Sequence, residues 1–297
     1  MKNFLKTKFA DPTVDFAFKR IFGSENYKKA TIGLLNSIIT DRNIVDISFP
    51  NTELLGDTSD SRNVFVDVLA EDSDGTKFLV EMQNARQSKF RQRTLFYASK
   101  LITASAQIGR DWDYGIDKVY VVAIVNFDLD GLNGYKSIDR SCVRSYKLKD
   151  EMTGELLPDS PEFYFLELKN FKKSVKELEG NPEKWLYLLR NAARLDAVPE
   201  EFQGNDAFHS FFDASNRAGF TKEEDFKYTE DMVNAWDRAN EKREAREEGR
   251  EEGREEGFAE GEARARRAIA KSMLKDGVDT STIIKYTGLT KEELAVL

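Results

Sequence analysis

The sequence predicts an α/β fold, a mixed central sheet flanked by helices, and three observations carry that prediction. Val64-Phe65-Val66-Asp67-Val68-Leu69-Ala70 and Lys77-Phe78-Leu79-Val80-Glu81-Met82-Gln83 are apolar runs of strand length on either side of Glu71-Asp72-Ser73-Asp74-Gly75, so they read as a β-hairpin. Asp117 to Val125 (DKVYVVAIV) is a run rich in β-branched residues, as expected of a strand covered on both faces. Apolar residues at helical spacing then precede, separate and follow these strands.

Taken in order, Asp15, Phe16, Phe18, Lys19, Ile21 and Phe22 have the spacing of an opening helix with an aromatic face, started near Asp11-Pro12 and ended at Gly23. Tyr27 to Ile39 is a second helix, with Ile32, Leu34, Leu35, Ile38 and Ile39 as its core side, and Ile44 to Phe49 is a candidate first strand. After the hairpin, Asn84 to Arg93 contains Arg86, Lys89, Arg91 and Arg93 and no acid. It leads into a helix whose apolar stripe includes Leu95, Phe96, Leu101, Ile102 and Ile108. Asn126 to Pro161 reads as irregular, punctuated by Gly131, Gly134, Gly154, Pro158 and Pro161. Its Arg140, Arg144, Lys147 and Lys149 form either a second basic patch or a solvated loop. Phe163 to Leu168 is a further strand, and helical patterning runs from Ser174 to Asn240.

From Glu241 to Gly261 the chain repeats Arg-Glu-Glu-Gly. On a helix each Glu would lie three or four residues from an Arg, gaining about 0.2 to 0.5 kcal/mol per pair, while each glycine costs roughly 1 kcal/mol against alanine. That arithmetic favours a tether over a helix packed through its glycine stripe. The last thirty or so residues turn apolar again around Ile269, Met273, Leu274, Ile283, Ile284, Leu289 and Leu294, and read as short helices broken at Gly277 and Gly288, with Thr290 to Glu293 as a capping box.

Composition narrows the function. The 297 residues are 33% charged with a formal net charge of −8, so a general electrostatic coat for nucleic acid is excluded and any such contact must come from local patches. The single cysteine, Cys142, rules out an intrachain disulfide and agrees with a cytoplasmic setting, and one Cys with one His, His209, cannot build a zinc site. Neither the short apolar start nor the run from Val119 to Val125 suits secretion or a membrane span.

The hairpin carries the chemistry. An ionised carboxylate within an apolar strand needs a cation, a donor or solvent, and a hairpin folded about Asp74 sets Asp67 opposite Glu81, on one face with Gln83. Two readings follow. The acids pair with a neighbouring Arg or Lys or with solvent, or they hold a hard divalent cation, which takes oxygen ligands from one or two carboxylates together with water and phosphate. Phosphodiester hydrolysis is the reaction that the second reading serves.

A strand Asp, a turn and then Glu-x-Gln on the next strand resembles the PD-(D/E)xK, restriction-endonuclease-like, superfamily. The chain is similar in particular to the recombination-promoting nuclease and transposase family, at Asp11 to Gly23 (DPTVDFAFKRIFG), Phe65 to Val68, Val80 to Gln83, the basic helix that follows and the Glu-Gly-Arg tail. The resemblance implies a restriction-endonuclease-like core over 1–170, and the patterning along the chain sets off a helical layer over 171–240, a linker or helix over 241–267 and a small helix-turn-helix-like unit over 268–297. It implies a metal-dependent DNA endonuclease using Mg²⁺, with Mn²⁺ as a substitute, held by Asp67, Glu81 and the Met82 carbonyl, with Asp15 on the opening helix lending a further acid. Gln83 stands where the superfamily usually has Lys, which implies low intrinsic activity, since glutamine orients a water but neither takes its proton nor offers charge.

Lys19, Arg86, Lys89, Arg91 and Arg93 are the residues placed to meet DNA phosphates, and the resemblance implies that Tyr97, in the same helix, also faces the nucleic acid in the cleft. For Asp15 and Lys19 a local helix pair is the competing account, and for the basic segment a solvated face. Two other functions stay open: a catalytically weak DNA-binding or assembly protein that keeps the fold, and a homo-oligomer built through the C-terminal tail without nucleic acid.

Overall fold

The computed structural model describes residues 7–54, 64–105, 114–129 and 142–297, which fall into two compact units, Met1–Met232 and Val233–Leu297. In the first unit the chain forms α1 (Asp15–Phe22), α2 (Lys28–Ile38), β1 (Glu53–Leu54), β2 (Val64–Phe65), β3 (Val68–Glu71), β4 (Lys77–Gln83), α3 (Phe90–Ser105), β5 (Val119–Val125), β6 (Val143–Tyr146), β7 (Glu162–Glu167), α4 (Asn181–Asn191) and α5 (Asp206–Ser215). A long helix, α6 (Lys222–Lys275), contributes its first turns here.

The central sheet has the order β3-β4-β5-β7-β6. Its interior pairs, β4 with β5 and β5 with β7, are parallel, and both edge pairs are antiparallel, which makes the sheet mixed as the sequence predicts. A parallel neighbour requires a crossover, and α3 supplies the one between β4 and β5. Every residue of β5 is buried, as its unbroken apolar and mostly β-branched sequence demands.

Strand alternation divides the sheet into two faces. Val68, Ala70, Phe78, Val80, Tyr120, Val122, Ile124, Tyr164 and Leu166 point into the main core, where α1, α2, α4 and α5 bring Phe18, Phe22, Leu34, Trp185, Phe208 and Phe211. Phe78 stacks on Tyr120 with ring centroids 5.5 Å apart. Leu69, Leu79, Val119 and Val121 face the other way, against Ala98 and Leu101 of α3. Close packing of α2 on α5 depends on Gly33, where a Cβ would stand 2.3 Å from Cβ of Ala207.

Several elements differ from the sequence reading, each for a physical reason. The run Val64 to Ala70 is two strands: β2 pairs with β1 in a separate two-stranded sheet, and the main ladder begins only at Val68. Ile44 to Phe49 makes a single bridge, Ser48 with Glu71, because the Asn36 side chain takes both the N–H and the carbonyl of Ile44 at 2.8 Å and satisfies that backbone without a ladder. The second helix opens as a short 3₁₀ turn over Glu25–Tyr27. Helical patterning from Ser174 is broken into α4, α5 and α6, with Gly180, Pro199 and Gly204 in the breaks.

The stretch read as irregular after Asn126 contains β6, and its cations bind buried acids. Arg144 Nε lies 2.9 Å from Glu167 Oε1, and Lys147 Nζ lies 2.8 Å from Glu162 Oε2. Ile108, Gly131, Gly134 and Arg140 lie outside the described residues. His209 is exposed and pairs with Asp213 at 3.1 Å.

In the second unit the Arg-Glu-Glu-Gly repeat lies within α6. Helix entered from flanking turns need not be nucleated again, which offsets the glycines that made a tether the sequence expectation. A Cβ at Gly249, Gly253, Gly257 or Gly261 would meet nothing within 4 Å, so the glycine stripe packs on no described residue. Beyond it come α7 (Thr280–Thr287) and α8 (Lys291–Ala295). Gly277, at φ +75°, closes α6 with a Schellman pair, the Gly277 N–H bonding Leu274 O and the Val278 N–H bonding Met273 O. Ala270, Ile283, Leu289 and Leu294 form a small core. The predicted capping box is present, with the Thr290 N–H donating to Glu293 Oε2 at 2.8 Å and the Glu293 N–H to Thr290 Oγ1 at 3.1 Å. No helix among the described residues is long and apolar enough to cross a membrane.

Candidate active site

The turn between β3 and β4 sets the geometry of the site. Asp72 Oδ1 accepts from the N–H groups of Asp74 and Thr76, Gly75 takes φ +80°, and Arg42 clasps the carboxylates of Asp72 and Asp74. The register that follows, Val68 opposite Val80 through Glu71 opposite Lys77, pivots on Asp74 and projects Asp67 against Glu81.

The ladder stops there and the two acids take over its hydrogen bonds. The Asp67 N–H donates to Glu81 Oε1 at 3.1 Å, and the Met82 N–H donates to Asp67 Oδ2 at 2.8 Å. Each carboxylate thus satisfies main chain of the opposite strand, which explains why the apolar run breaks at Val66 and Asp67. In a strand a residue's N–H and carbonyl point to the same side, so the Met82 carbonyl also lies on the Asp67 side of β4. Met82 itself packs against the main core, while Glu81 and Gln83 share the α3 face with Leu79.

From α3, Arg93 reaches into this pocket. Phe90, fully buried against Phe127 and Phe165, fixes the start of the helix and brings position 93, one turn on, over the sheet. Arg93 Nη2 donates to Gln83 Oε1 at 2.8 Å and to Glu81 Oε2 at 3.3 Å, and Nη1 donates to Gln87 Oε1 at 2.8 Å. The guanidinium lies over the rings of Phe90 and Tyr97, at 5.0 and 5.5 Å from their centroids. Gln83 is oriented from its other end, where Nε2 donates to Ala85 O at 2.9 Å.

The opening helix borders the same site. Lys19 Nζ lies 2.9 Å from Asp15 Oδ2, so the local pair weighed from the sequence is formed, on an exposed surface. Its charges still reach Asp67, whose titration feels both. The start of α1 is held from α6, where Asp231 Oδ2 accepts the Phe16 N–H at 3.0 Å and Tyr228 Oη accepts the Asp11 N–H at 2.9 Å.

Burial dominates the electrostatics. Glu81 is 3% exposed, and burial followed by the charge of Asp67 pushes its carboxyl up to about 8, against the opposing pull of Arg93. Asp67 is also raised, first by burial, with the Met82 N–H opposing and Asp15 adding to the rise. Lys19 loses solvation, yet Asp15, Asp67 and Asp231 together hold its ammonium above the ordinary lysine range. Burial raises the Tyr97 hydroxyl. Burial and mutual charge thus raise both acids of the pair.

The structure therefore brings Asp67, Glu81, Gln83, Arg93 and Tyr97 together, with Asp15 and Lys19 at the border. Arg86 and Lys89 are exposed on the loop ahead of α3, and Arg91 turns toward the Tyr146 ring at 5.8 Å. The roles of Arg93 inside the pocket and of Asp231 behind α1 went unread in the sequence. Asp231 lies 215 residues from its partner, and no motif links them.

The donor set fits a hard cation in kind. Asp67 Oδ1 accepts no hydrogen bond among the described residues, and Glu81 and the Met82 carbonyl stand beside it. There is no group of three or more His, Cys, Asp or Glu able to hold an ion among the described residues, so a cation here would complete its shell from water and phosphate oxygens.

A mixed sheet with an Asp opposite a Glu-x-Gln at the end of its hairpin is a nuclease-like architecture. Residues 12–245 match the family described as PD-(D/E)XK nuclease family transposase, and the chain belongs to that family. Residues 263–297 match the C-terminal helix-turn-helix domain of the Rpn/YhgA-like nuclease family, which covers α7, α8 and the end of α6. No curated protein and no solved structure matches the chain.

Proposed function

We propose that the protein is a metal-dependent DNA endonuclease with its centre at Asp67 and Glu81. The observation that carries this reading is the exchange between them: two acids meet where the hairpin ladder ends, and Asp67 Oδ1 accepts no hydrogen bond among the described residues. Mg²⁺ or Mn²⁺, when bound, polarises a phosphoryl oxygen and lowers the pKa of a coordinated water.

The chain's own residues do the rest. Asp67 Oδ1, Glu81 Oε2 and the Met82 carbonyl are the holding groups. Gln83, fixed by Ala85 and Arg93, offers an amide that orients a water and accepts no proton from it. Asp15 tunes the acids through its charge, and Lys19 offers an ammonium to a phosphate at the rim. Arg86 and Lys89, exposed beside the centre, position a duplex without reading its sequence. The C-terminal helix-turn-helix is the second DNA contact, and promotion of recombination is the process in which such cleavage would serve.

A catalytically weak DNA-binding protein on the same fold is the second reading, and Arg93 on Glu81 with Gln83 in place of Lys favours it. Supercoiled plasmid incubated with Mg²⁺, Mn²⁺ or Ca²⁺ separates the two. The first reading predicts nicking with Mg²⁺ or Mn²⁺, lost in both Asp67→Ala and Glu81→Ala while circular dichroism stays unchanged. DNA binding in preparations that never cleave, with any of the three ions, decides for the second.

A further inference from the structure

We propose that Arg93 is a catalytic residue of this centre, the source of the positive charge that Gln83 lacks, stored in the resting protein on Glu81 and Gln83 and delivered to the phosphate during cleavage. The proposal rests on the reading of the site as a phosphodiester-cleaving centre.

Position sets Arg93 apart from the exposed Arg86 and Lys89 of its segment, and from Arg91, which turns to the Tyr146 ring. Arg86 and Lys89 are exposed, whereas the Arg93 side chain is 27% exposed and lies over Phe90 and Tyr97. One nitrogen, Nη2, is shared between Gln83 Oε1 and Glu81 Oε2, the two side chains that flank the proposed reaction centre on β4. The 3.3 Å contact to Glu81 is long for a charge-assisted bond. Nε is buried and meets no acceptor among the described residues. The guanidinium is thus incompletely satisfied where it rests, and another acceptor within its reach would complete it.

A phosphate oxygen is that acceptor. In hydrolysis the water oxygen bonds to phosphorus as the bond from phosphorus to the leaving oxygen breaks. The water's proton passes to solvent, the leaving oxygen takes one from solvent, and negative charge gathers on the non-bridging oxygens. Gln83 presents no charge to them. A planar guanidinium presents two parallel N–H donors, and Arg93 gives up no proton in doing so.

The resting contact also makes Arg93 a competitor of any cation for Glu81 Oε2. Its removal therefore moves two observables in opposite directions, metal affinity up and cleavage down, which loss of a merely structural contact would not do.

The test uses the full chain and Arg93→Gln, Arg93→Lys and the double variant Arg93→Gln/Gln83→Lys. Ca²⁺ binding is measured by calorimetry, duplex affinity across a salt series, and Mg²⁺-dependent nicking under single turnover. Arg93→Gln is expected to bind Ca²⁺ more tightly than wild type and to nick about 10²- to 10³-fold more slowly, the range for loss of one donor to a developing oxyanion. Its duplex salt slope shifts by no more than about one. Lysine at position 83 restores part of the rate to Arg93→Gln.

Unchanged nicking by Arg93→Gln, a rate loss that only tracks weaker duplex binding, or Ca²⁺ affinity that fails to rise overturns the proposal. Should Arg93→Gln melt early, Arg93→Lys decides: slowed nicking at an unchanged melting temperature supports the role, and full activity overturns it. A wild type that neither binds Ca²⁺ nor nicks removes the underlying nuclease reading and this proposal together. A wild type that nicks beside an equally active Arg93→Gln removes this proposal alone.

Discussion

Asp67 and Glu81 are joined through main chain and side chain at once, the Asp67 N–H donating to Glu81 Oε1 at 3.1 Å where the strand pairing of the hairpin ends. The same Asp67 side chain takes the Met82 N–H, so each acid is an acceptor for a main-chain donor across the hairpin. This use of both acids shapes what their substitution does.

Asp67→Ala leaves the part-buried Met82 N–H without its acceptor, and an orphaned donor of this kind costs on the order of 1 kcal/mol, the low end of the range for buried donors. Asp67→Asn keeps an oxygen there and removes the charge. Urea unfolding is expected to show Asp67→Ala less stable than Asp67→Asn by that order, while neither nicks DNA. Equal stability of the two would mean that the Met82 bond contributes nothing.

Stability should fall as pH rises through the range set by Glu81. Its carboxyl titrates at about 8 in the folded protein against an ordinary 4.5, so between these values the folded chain holds a proton that the unfolded chain has released. The stabilisation is complete below about 4.5 and is lost on passing 8. Glu81→Gln lacks this slope. The difference in unfolding free energy between wild type and Glu81→Gln, measured without metal, is expected to shift in favour of the variant from pH 5 to pH 8.5. A difference that stays flat contradicts the assignment.

Gly33→Ala tests the packing behind the site. The added methyl would press on Ala207 Cβ at 2.3 Å and Trp185 Cζ2 at 3.0 Å, between two packed helices. Overpacking of this kind costs typically 1 to 3 kcal/mol, and the melting temperature should drop accordingly. A neutral result would show that α2 and α5 can part without loss.

In the second unit, Thr290→Ala removes the hydroxyl that accepts the Glu293 N–H. A lost cap costs about 1 kcal/mol, and amide exchange is expected to quicken in α8. Unaltered exchange there would mean that the small core around Leu294 holds the helix without its cap.

Arg86→Gln and Lys89→Gln, singly, should weaken duplex binding evenly across sequences and lower the salt slope by up to about one each. A salt slope unmoved by both changes would take these residues out of the DNA contact.

The hairpin was legible because its turn residues and its two apolar runs agree on one pivot, and a pivot at Asp74 fixes which acids oppose. β5 was legible from composition alone, since only a strand covered on both sides tolerates Val119 to Val125. The capping box at Thr290 is a local code and was read directly.

What escaped was set by partners far along the chain or by side chains replacing backbone. The break at Asp67 depends on carboxylates bonding main chain across the hairpin, which apolar patterning does not register. β6 hides because, among the described residues, only one of its flanks pairs and its residues are half exposed. The inward turn of Arg93 follows from Phe90 anchoring α3 against β5 and β7, a tertiary fact that a basic run read in isolation assigns to solvent or DNA. The repeat in α6 shows the converse, a segment whose own propensity is marginal and which is helical because its neighbours are.

The most direct measurement is anomalous scattering from crystals of the full chain grown with Mn²⁺. The account predicts one peak within coordination distance of Asp67 Oδ1 and Glu81 Oε2, with the Arg93 guanidinium displaced from Glu81. A protein that nicks DNA with Mn²⁺ while these crystals show no density there, and Arg93 still seated on Glu81, would contradict it.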